Sequence, residues 1–262
     1  MAAQRRGANL LRTAPMGVPH EKIYGIEAAR AVMATRPGDV IRIAHTSAVR
    51  HEIAELLREA AAQRIAYGEH SEEDLGKLAG ALHHEGICLA VQPRRVLSVD
   101  ALVNALRDGK CRAVLALDTV ANPHNAGALV RSAAFFGVDA ILVEGQEGKP
   151  LLTPAATRIA QGAMEHVVAV RAGDMADALR RIAAAGVAVV GTDVRATKTL
   201  GEMKWPVRVA IVLGSEGAGM REPVRRACTE LLVIPGSGKV ESLNVSVAAG
   251  VVLAGWAGSR AR

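Results

Sequence analysis

The sequence predicts an α/β protein whose C-terminal part is a parallel sheet with helices on both faces, preceded by a smaller α/β unit. Three observations carry this expectation. From Ala113 onward the short apolar runs AVLAL, AILV, VVAV, VAVVG, RVAIVL and LLVI are continuous instead of alternating, as strands buried on both faces are. Segments of helical period stand between most of them, the rhythm of βαβ units. The 262 residues are half hydrophobic, enough for one large or two ordinary domains with real cores.

The elements follow in order. Residues 1–19 hold Arg5, Arg6 and Arg12 with no acid and no apolar run of a secretory signal, so a disordered basic arm and a cytoplasmic location are expected. From Tyr24, YGIEAARAVM has helical spacing, and VIRIAHT over 40–46 is rich in β-formers. HEIAELLREAAAQ is an amphipathic helix, RIAY a short strand, SEEDLGKLAG an acid-rich helix and GICLAV a strand. These form a small unit over 20–95, with QPRR as its exit. Residues 96–111 are expected to be a linker carrying a helix capped by Ser98. The second unit, 112–258, begins with AVLALD, a loop and a helix through Phe136, then AILVEG, a helix from Thr153, VVAV and a helix over DMADALRRIAAAG. VAVVGTD, RVAIVLG, a helix near Met220, LLVIP and a final helix from Asn244 complete it. The uncharged stretch Ser242 to Ser259 contains Asn244, three Ser and three Gly, and is better read as a buried helix than as a membrane span.

Composition narrows the function. The net charge is +6, but five of those charges are Arg5, Arg6, Arg12, Arg260 and Arg262 in the two tails, so global basicity argues only weakly for a nucleic-acid groove. Two Trp, two Tyr and two Phe are too few for an aromatic platform that stacks bases. Trp205 and Trp256 fit better as core or dimer-interface anchors. Cys88, Cys111 and Cys228 are far apart, with no CxxC pair and no His at metal spacing, so they read as buried thiols in a reducing compartment and no metal is expected.

In an open parallel sheet, ligands sit beyond the carboxyl ends of the strands. Three loops there are rich in polar residues. DTVANPHNAGALVRSAAFFG places Asn122, His124 and Asn125 before a helix, with Gly127 allowing close backbone approach and Arg131 on an apolar stretch where a buried guanidinium needs a partner. A plain Asn/Pro helix-capping turn is the alternative. VLGSEGAGM runs a strand into Gly214, Ser215, Glu216, Gly217 and Gly219; it fails the GxGxxG dinucleotide pattern because Glu222 stands in the last position, and a tight turn with an exposed Glu is its plain alternative. VIPGSGKVESLNVSVAAGVVL contains GSGK, but Val233 and Val240 break the phosphate-loop pattern. What remains there is Ser242, Leu243 and Asn244 leading into an apolar helix, either polar residue being a possible cap.

Taken in this order, N-x-G-x-x-x-R, L-G-S-E-G-x-G and I-P-x-x-G-x-V-x-S-L-N-V-S-V-A resemble the three motifs of the SpoU/TrmH-type RNA 2′-O-ribose methyltransferases of the SPOUT superfamily. The resemblance spans about residues 112–257 and is most specific in VESLNVSVA. The N-terminal unit, with YGIEAARAVM near its start and HHEGICLAV at its end, is similar to the substrate-recognition domain that precedes the catalytic domain in many members. One departure is Gly236, where the family pattern usually has Met after the Pro.

The resemblance implies a C-terminal trefoil knot, which connection rules alone would not suggest. It also implies S-adenosylmethionine as methyl donor and a homodimer through the knotted domain whose active site draws on both subunits. Gly214, Ile234, Leu243 and Asn244 match positions that hold the cofactor, and Thr192 ends the strand lining its adenine side. Asn125, Arg131, Glu216, Ser242 and Asn244 match the polar set around the reacting methyl group, with Glu216 and Asn125 expected to orient Arg131. An arginine base is chemically awkward because its pKa exceeds about 12, so Arg131 is expected to position RNA instead of taking a proton. His83 and His84 are candidate RNA contacts, an exposed turn pair being the alternative. The implied activity is methylation of a ribose 2′-hydroxyl in structured RNA, ribosomal favoured over transfer RNA. A non-catalytic RNA-binding or ribosome-assembly factor is the alternative, opposed by the intact Asn125, Arg131, Glu216 and Asn244. An oxidoreductase lacks its glycine fingerprint.

Overall fold

The computed structural model describes residues 20–146 and 152–260, and the chain divides into two units at Arg94/Arg95. The basic arm expected over 1–19 lies outside the described residues.

The first unit runs β1 (Glu21–Tyr24), α1 (Ile26–Thr35), β2 (Val40–His45), α2 (Ala54–Ala62), β3 (Ala66–Glu69), α3 (Glu72–Ala79) and β4 (Ile87–Val91). Its sheet has the order β1-β4-β2-β3. The period-2 geometry of strands decides which helices cover which face. Ile23, Ile43, Ile87 and Leu89 pack with Val32, Leu56 and Leu57 of α1 and α2. Tyr24, Ala44 and Cys88 turn to the other face and meet Leu75 and Ala79 of α3. Ser71 starts α3 by accepting the Asp74 N–H, and Gly80 ends it in the left-handed region.

The second unit continues with β5 (Val96–Ser98), α4 (Val99–Arg107), β6 (Ala113–Leu117), α5 (Pro123–Phe135), β7 (Ala140–Glu144), α6 (Pro154–Ile159), β8 (Val168–Ala172) and α7 (Met175–Ala184). It closes with β9 (Ala188–Thr192), β10 (Val209–Leu213), α8 (Glu222–Ala227), β11 (Glu230–Leu232) and α9 (Val245–Arg260). The seven strands are ordered β11-β9-β10-β6-β7-β8-β5, and every neighbouring pair is parallel. Continuous apolar spelling has its reason here. Ala113, Leu115 and Leu117 face α5 and α9, whereas Val114 and Ala116 face α4 and α7. Trp256 of α9 is fully buried in the first of these layers, and Trp205 packs against it partly buried.

Residues 96–111 are not the linker that the sequence suggested. β5 pairs with β8 at the sheet edge, and Val99, Leu102, Val103, Leu106 and Cys111 belong to the α4/α7 core layer. Ser98 does cap its helix, accepting the Ala101 N–H. Among the described residues no helix is long and apolar enough to cross a membrane.

The order in which strands are added switches side at the adjacent pair β6 and β10: β7 and β8 lie on one side, β9 and β11 on the other. The carboxyl ends of β6, β9, β10 and β11 therefore open on one edge, where such sheets carry their ligands.

Candidate functional site

The loop after β6 begins at Asp118, which is wholly buried at the end of an all-apolar strand. Thr119 follows at φ 57°, a left-handed conformation that a β-branched residue adopts only under constraint. The constraint is visible. Arg221, which follows the glycine loop after β10, donates from its main-chain N–H and its Nε to the two oxygens of Asp118, both at 2.7 Å, and from Nη2 to Glu144 at 2.6 Å. Glu144 also accepts the first N–H of α7. The Arg221 hydrogen bond, opposed by partial burial, holds Glu144 below its usual range, and the two carboxylates raise the Arg221 guanidinium in turn. One arginine thus ties together the ends of β6, β7 and β10.

Asn122 caps α5 by accepting the His124 N–H at 2.8 Å, with Pro123 in the first turn. This presents Asn125 at the sheet edge. Its side-chain amide donates to Glu216 Oε2 at 3.1 Å, and its Oδ1 accepts from Asn244 Nδ2 at 3.1 Å. Asn244 Nδ2 also reaches Glu216 Oε2 at 3.1 Å, so the three side chains close a triangle. Its orientation is determinate. Asn244 Oδ1 accepts the Ser246 main-chain N–H at 2.9 Å, a group that can only donate, so Nδ2 must face Asn125 and Glu216. The same bond makes Asn244 the cap of α9, and the Ser246 hydroxyl adds a second donor at 2.6 Å.

Glu216 rides on a turn closed by reciprocal Ser215–Gly219 main-chain hydrogen bonds, with Gly217 and Gly219 at positive φ. Gly214 is buried where this turn folds back, and a Cβ there would fall on the main chain of Gly219 and Met220. Glu216 itself is exposed, and its Oε1 has no hydrogen bond among the described residues. The arrangement offers a carboxylate with one oxygen fixed and one available to a donor.

The remaining predicted residues are placed less uniformly. Ile234 is partly buried against the core layer of α9, Leu243 is 43% exposed, and Gly236 and Gly238 have open space where a Cβ would project. Ser242 is exposed and caps nothing, because Asn244 performs that role. Thr192 is half-buried, and the next residue, Asp193, is fastened by Arg225 Nε at 2.5 Å and by Arg195. Burial would raise the Asp193 carboxyl, but these bonds prevail and bring it to about 2.

Three expectations are corrected. Arg131 is not buried: it is exposed on α5, with no hydrogen bond or ion pair among the described residues, and Asn125 and Glu216 bind each other instead of orienting it. Gly127 admits α6, not a ligand, since a Cβ would lie 2.6 Å from the Ala156 carbonyl oxygen. His84 is buried, its Nδ1 accepting the Gly86 N–H and its Nε2 lying 3.5 Å from Glu72, so only His83 is on the surface. Sequence reasoning also missed Asp118, Glu144, Arg221 and Ser246. An acid ending an uninterrupted apolar strand was the available signal for Asp118. Burial pushes the thiols of Cys88, Cys111 and Cys228 up to about 11, 12 and 12, which keeps them inert. Among the described residues no three His, Cys, Asp or Glu side chains are grouped to hold a metal.

Residues 112–254 match the model of the SpoU rRNA Methylase family, and residues 22–97 that of the RNA 2′-O ribose methyltransferase substrate binding domain. A 23S rRNA (guanosine-2′-O-)-methyltransferase RlmB of Vibrio cholerae is 36% identical, over 89% of this chain and 95% of that protein. The uncharacterized tRNA/rRNA methyltransferase YfiF of Escherichia coli is 35% identical, over 90% and 67% respectively. Among solved structures, an RNA 2′-O ribose methyltransferase superimposes with a TM-score of 0.72 at 24% identity, covering 93% of this chain and 90% of that one. AviRb of Streptomyces viridochromogenes, solved in complex with AdoMet, gives 0.70 at 20% identity, covering 92% and 91%.

Proposed function

The chain belongs to the SpoU rRNA methylase family, and on that premise we propose that it methylates a ribose 2′-hydroxyl of ribosomal RNA with S-adenosylmethionine as donor. The observation that carries this reading is the closed Asn125–Glu216–Asn244 triangle at the edge where four parallel strands end. The residues present fit the donor. The cradle we assign to it is made of loops that leave the parallel neighbours β9, β10 and β11 on one edge of the sheet: Thr192 ends β9, Gly214 follows β10, and Ile234 follows β11, with open space at Gly236 and Gly238 and an exposed Leu243 before Asn244. When bound there, S-adenosylmethionine supplies an electrophilic methyl group on a sulfonium.

The chain's own residues must then position a weakly acidic hydroxyl in line and favour loss of its proton. Glu216 offers its available oxygen to the hydroxyl or to a cation beside it. Asn125 and Asn244 hold the other oxygen, so the carboxylate does not swing. Arg131 offers its guanidinium to an RNA phosphate instead of acting as a base. Ser242, next to the cradle, completes the polar set.

The same reading includes a trefoil knot and a homodimer. α9 packs between α5 and the turn Leu200–Glu202, the arrangement expected when the chain end passes through the preceding loop. Phe135 of α5 is 82% exposed, and α9, which packs on α5, exposes Val247 and Val251; we take the apolar face of α5 at Phe135 as one that a second copy would cover. Arg131 is one turn before Phe135 on that face, so dimerisation would carry it to the shared site. Ribosomal RNA as substrate implies a cytoplasmic protein.

The test is transfer of a radiolabelled methyl group from S-adenosylmethionine to deproteinised ribosomal RNA, with the 2′-O-methyl position mapped. Incorporation at one ribose is expected. No incorporation, together with no donor binding by calorimetry at millimolar concentration, overturns the reading.

A further inference from the structure

α3 covers only part of its sheet face. Tyr24, Cys88 and Ala44 form one row of that face across β1, β4 and β2, and the apolar side of α3 lies over it. The next row, two residues along each strand, is Lys22, Ala90, Arg42 and Ala66, in register across all four strands. This row lies beyond the helix. Lys22, Ala90 and Arg42 of this row form part of a cleft of about 230 Å³ lined also by His20, Lys77 and Leu78.

The chemistry of the cleft is one-sided. Lys22 and Arg42 flank Ala90, and at about 4.8 Å per strand their Cα atoms are about 10 Å apart across a floor of methyl groups. Neither has an ion pair among the described residues, whereas Lys77 at the rim is tied to Glu73. No carboxylate and no Phe, Tyr or Trp lines the cleft, and the His20 imidazole is the one ring at it. A surface with two cations of one sign, a flat small-residue floor and no large aromatic platform suits a phosphodiester backbone, whose binding is independent of sequence. It suits a splayed base less, because His20 is the single ring there on which one could stack. It does not suit the chain's own residues 1–19, whose three arginines carry the same sign as the cleft.

We propose that the Lys22–Ala90–Arg42 row is a phosphate-binding track for the RNA substrate on the N-terminal unit. The proposal rests on the reading that the chain acts on RNA, and it assigns a face to that contact. Lys22 and Arg42 hold the backbone while sequence and target choice are left to other contacts.

The experiment measures binding of deproteinised ribosomal RNA by the full chain as a function of salt. The variants are Lys22→Gln with Arg42→Gln, Lys22→Arg with Arg42→Lys, and, on the α2 side, Arg58→Ala with Arg64→Ala. The glutamine pair is expected to weaken binding roughly tenfold at low salt and to flatten the log–log salt slope by about 1.5, two phosphate contacts' worth. The charge-keeping pair should bind as the unaltered chain does, and the α2-side pair should keep its slope. Methyl-donor affinity should be equal in all of them. An unchanged slope in the glutamine pair, or an equal loss in the α2-side pair, overturns the track while leaving methyl transfer by the unaltered chain to judge the function. Loss of poly-glutamate binding without loss of RNA binding would reassign the cleft to an acidic protein and also overturn it. If RNA binds through the cleft but no methyl group is transferred, the proposed function fails and the track stands.

Discussion

Asn125 and Asn244 stand 119 positions apart in the chain and share a hydrogen bond of 3.1 Å, with Glu216 bonded to both. Asn244 carries two tasks at once, capping α9 through Oδ1 and holding the triangle through Nδ2, and substitution can separate them. Asn244→Ser keeps a good cap, so stability should change by only a few tenths of a kcal/mol while methyl transfer falls at least about a hundredfold, within the range for loss of a preorganised polar contact. Asn244→Ala should lose activity equally and, in addition, about 1 kcal/mol of stability. Urea unfolding beside turnover measures both. Equal stability of the two variants would remove the cap from the account.

Arg131 makes no bond within the described chain, so its removal should be silent for folding. Arg131→Ala should unfold within about 0.5 kcal/mol of the unaltered protein and bind the methyl donor normally, yet turn over no RNA. Near-normal turnover in this variant would exclude Arg131 from the reaction.

Asp118 is wholly buried and satisfied by Arg221. Arg221→Met strips the carboxylate of its side-chain partner, and leaving a buried charge uncompensated costs about 3 kcal/mol or more. Asp118→Asn combined with Arg221→Met should recover part of that loss, because the amide carries no charge. A double-variant cycle on chemical denaturation shows the coupling, and additive losses would contradict it.

Asp193 gives a pH signature. Its carboxyl titrates at about 2 in the folded chain and near 4 when unfolded. The stabilisation is therefore fully present above about pH 4 and is lost as pH falls toward 2, a change of about 2 kcal/mol. Asp193→Asn should flatten the acid limb of the stability curve over that interval and leave it parallel above. An unaltered acid limb would mean that Arg225 and Arg195 do not hold the carboxylate in solution.

Gly214→Ala tests the turn that carries Glu216. The added methyl group would meet the main chain of Gly219 and Met220, which cannot yield as a flexible side chain would, so the turn must open. Methyl-donor binding should be lost, with stability lowered by about 1–3 kcal/mol from overpacking. Retained donor affinity in a folded Gly214→Ala protein would show that the turn is not part of the cradle.

The legible parts of this molecule are those where one residue's neighbours are implied by its own spelling. Strands such as AVLAL and VAIVL read clearly because both faces are buried, and Asn125, Glu216 and Asn244 stood out because polar residues cluster where such strands end. β5 was missed, since three residues have no period to detect. Arg131 was misjudged for a related reason: the apolar letters around it do not say which of them a neighbour covers, and Phe135 on the same helix is itself exposed. His84 looks like any turn histidine until Glu72 and Gly86 take up its nitrogens. Lateral strand order depends on which strands pair across the sheet, and nothing in a single strand's letters encodes its neighbours.

The three corners of the polar triangle come from segments 91, 28 and 119 residues apart. Contacts of such separation form late, because the long loops between them must be closed before they contribute anything. A chain that has completed only its local βαβ units would already show most of its helical signal and would still have no triangle. Refolding followed by circular dichroism should therefore run ahead of refolding followed by methyl-donor capture, and the interval between the two traces is a clock for the last step of assembly.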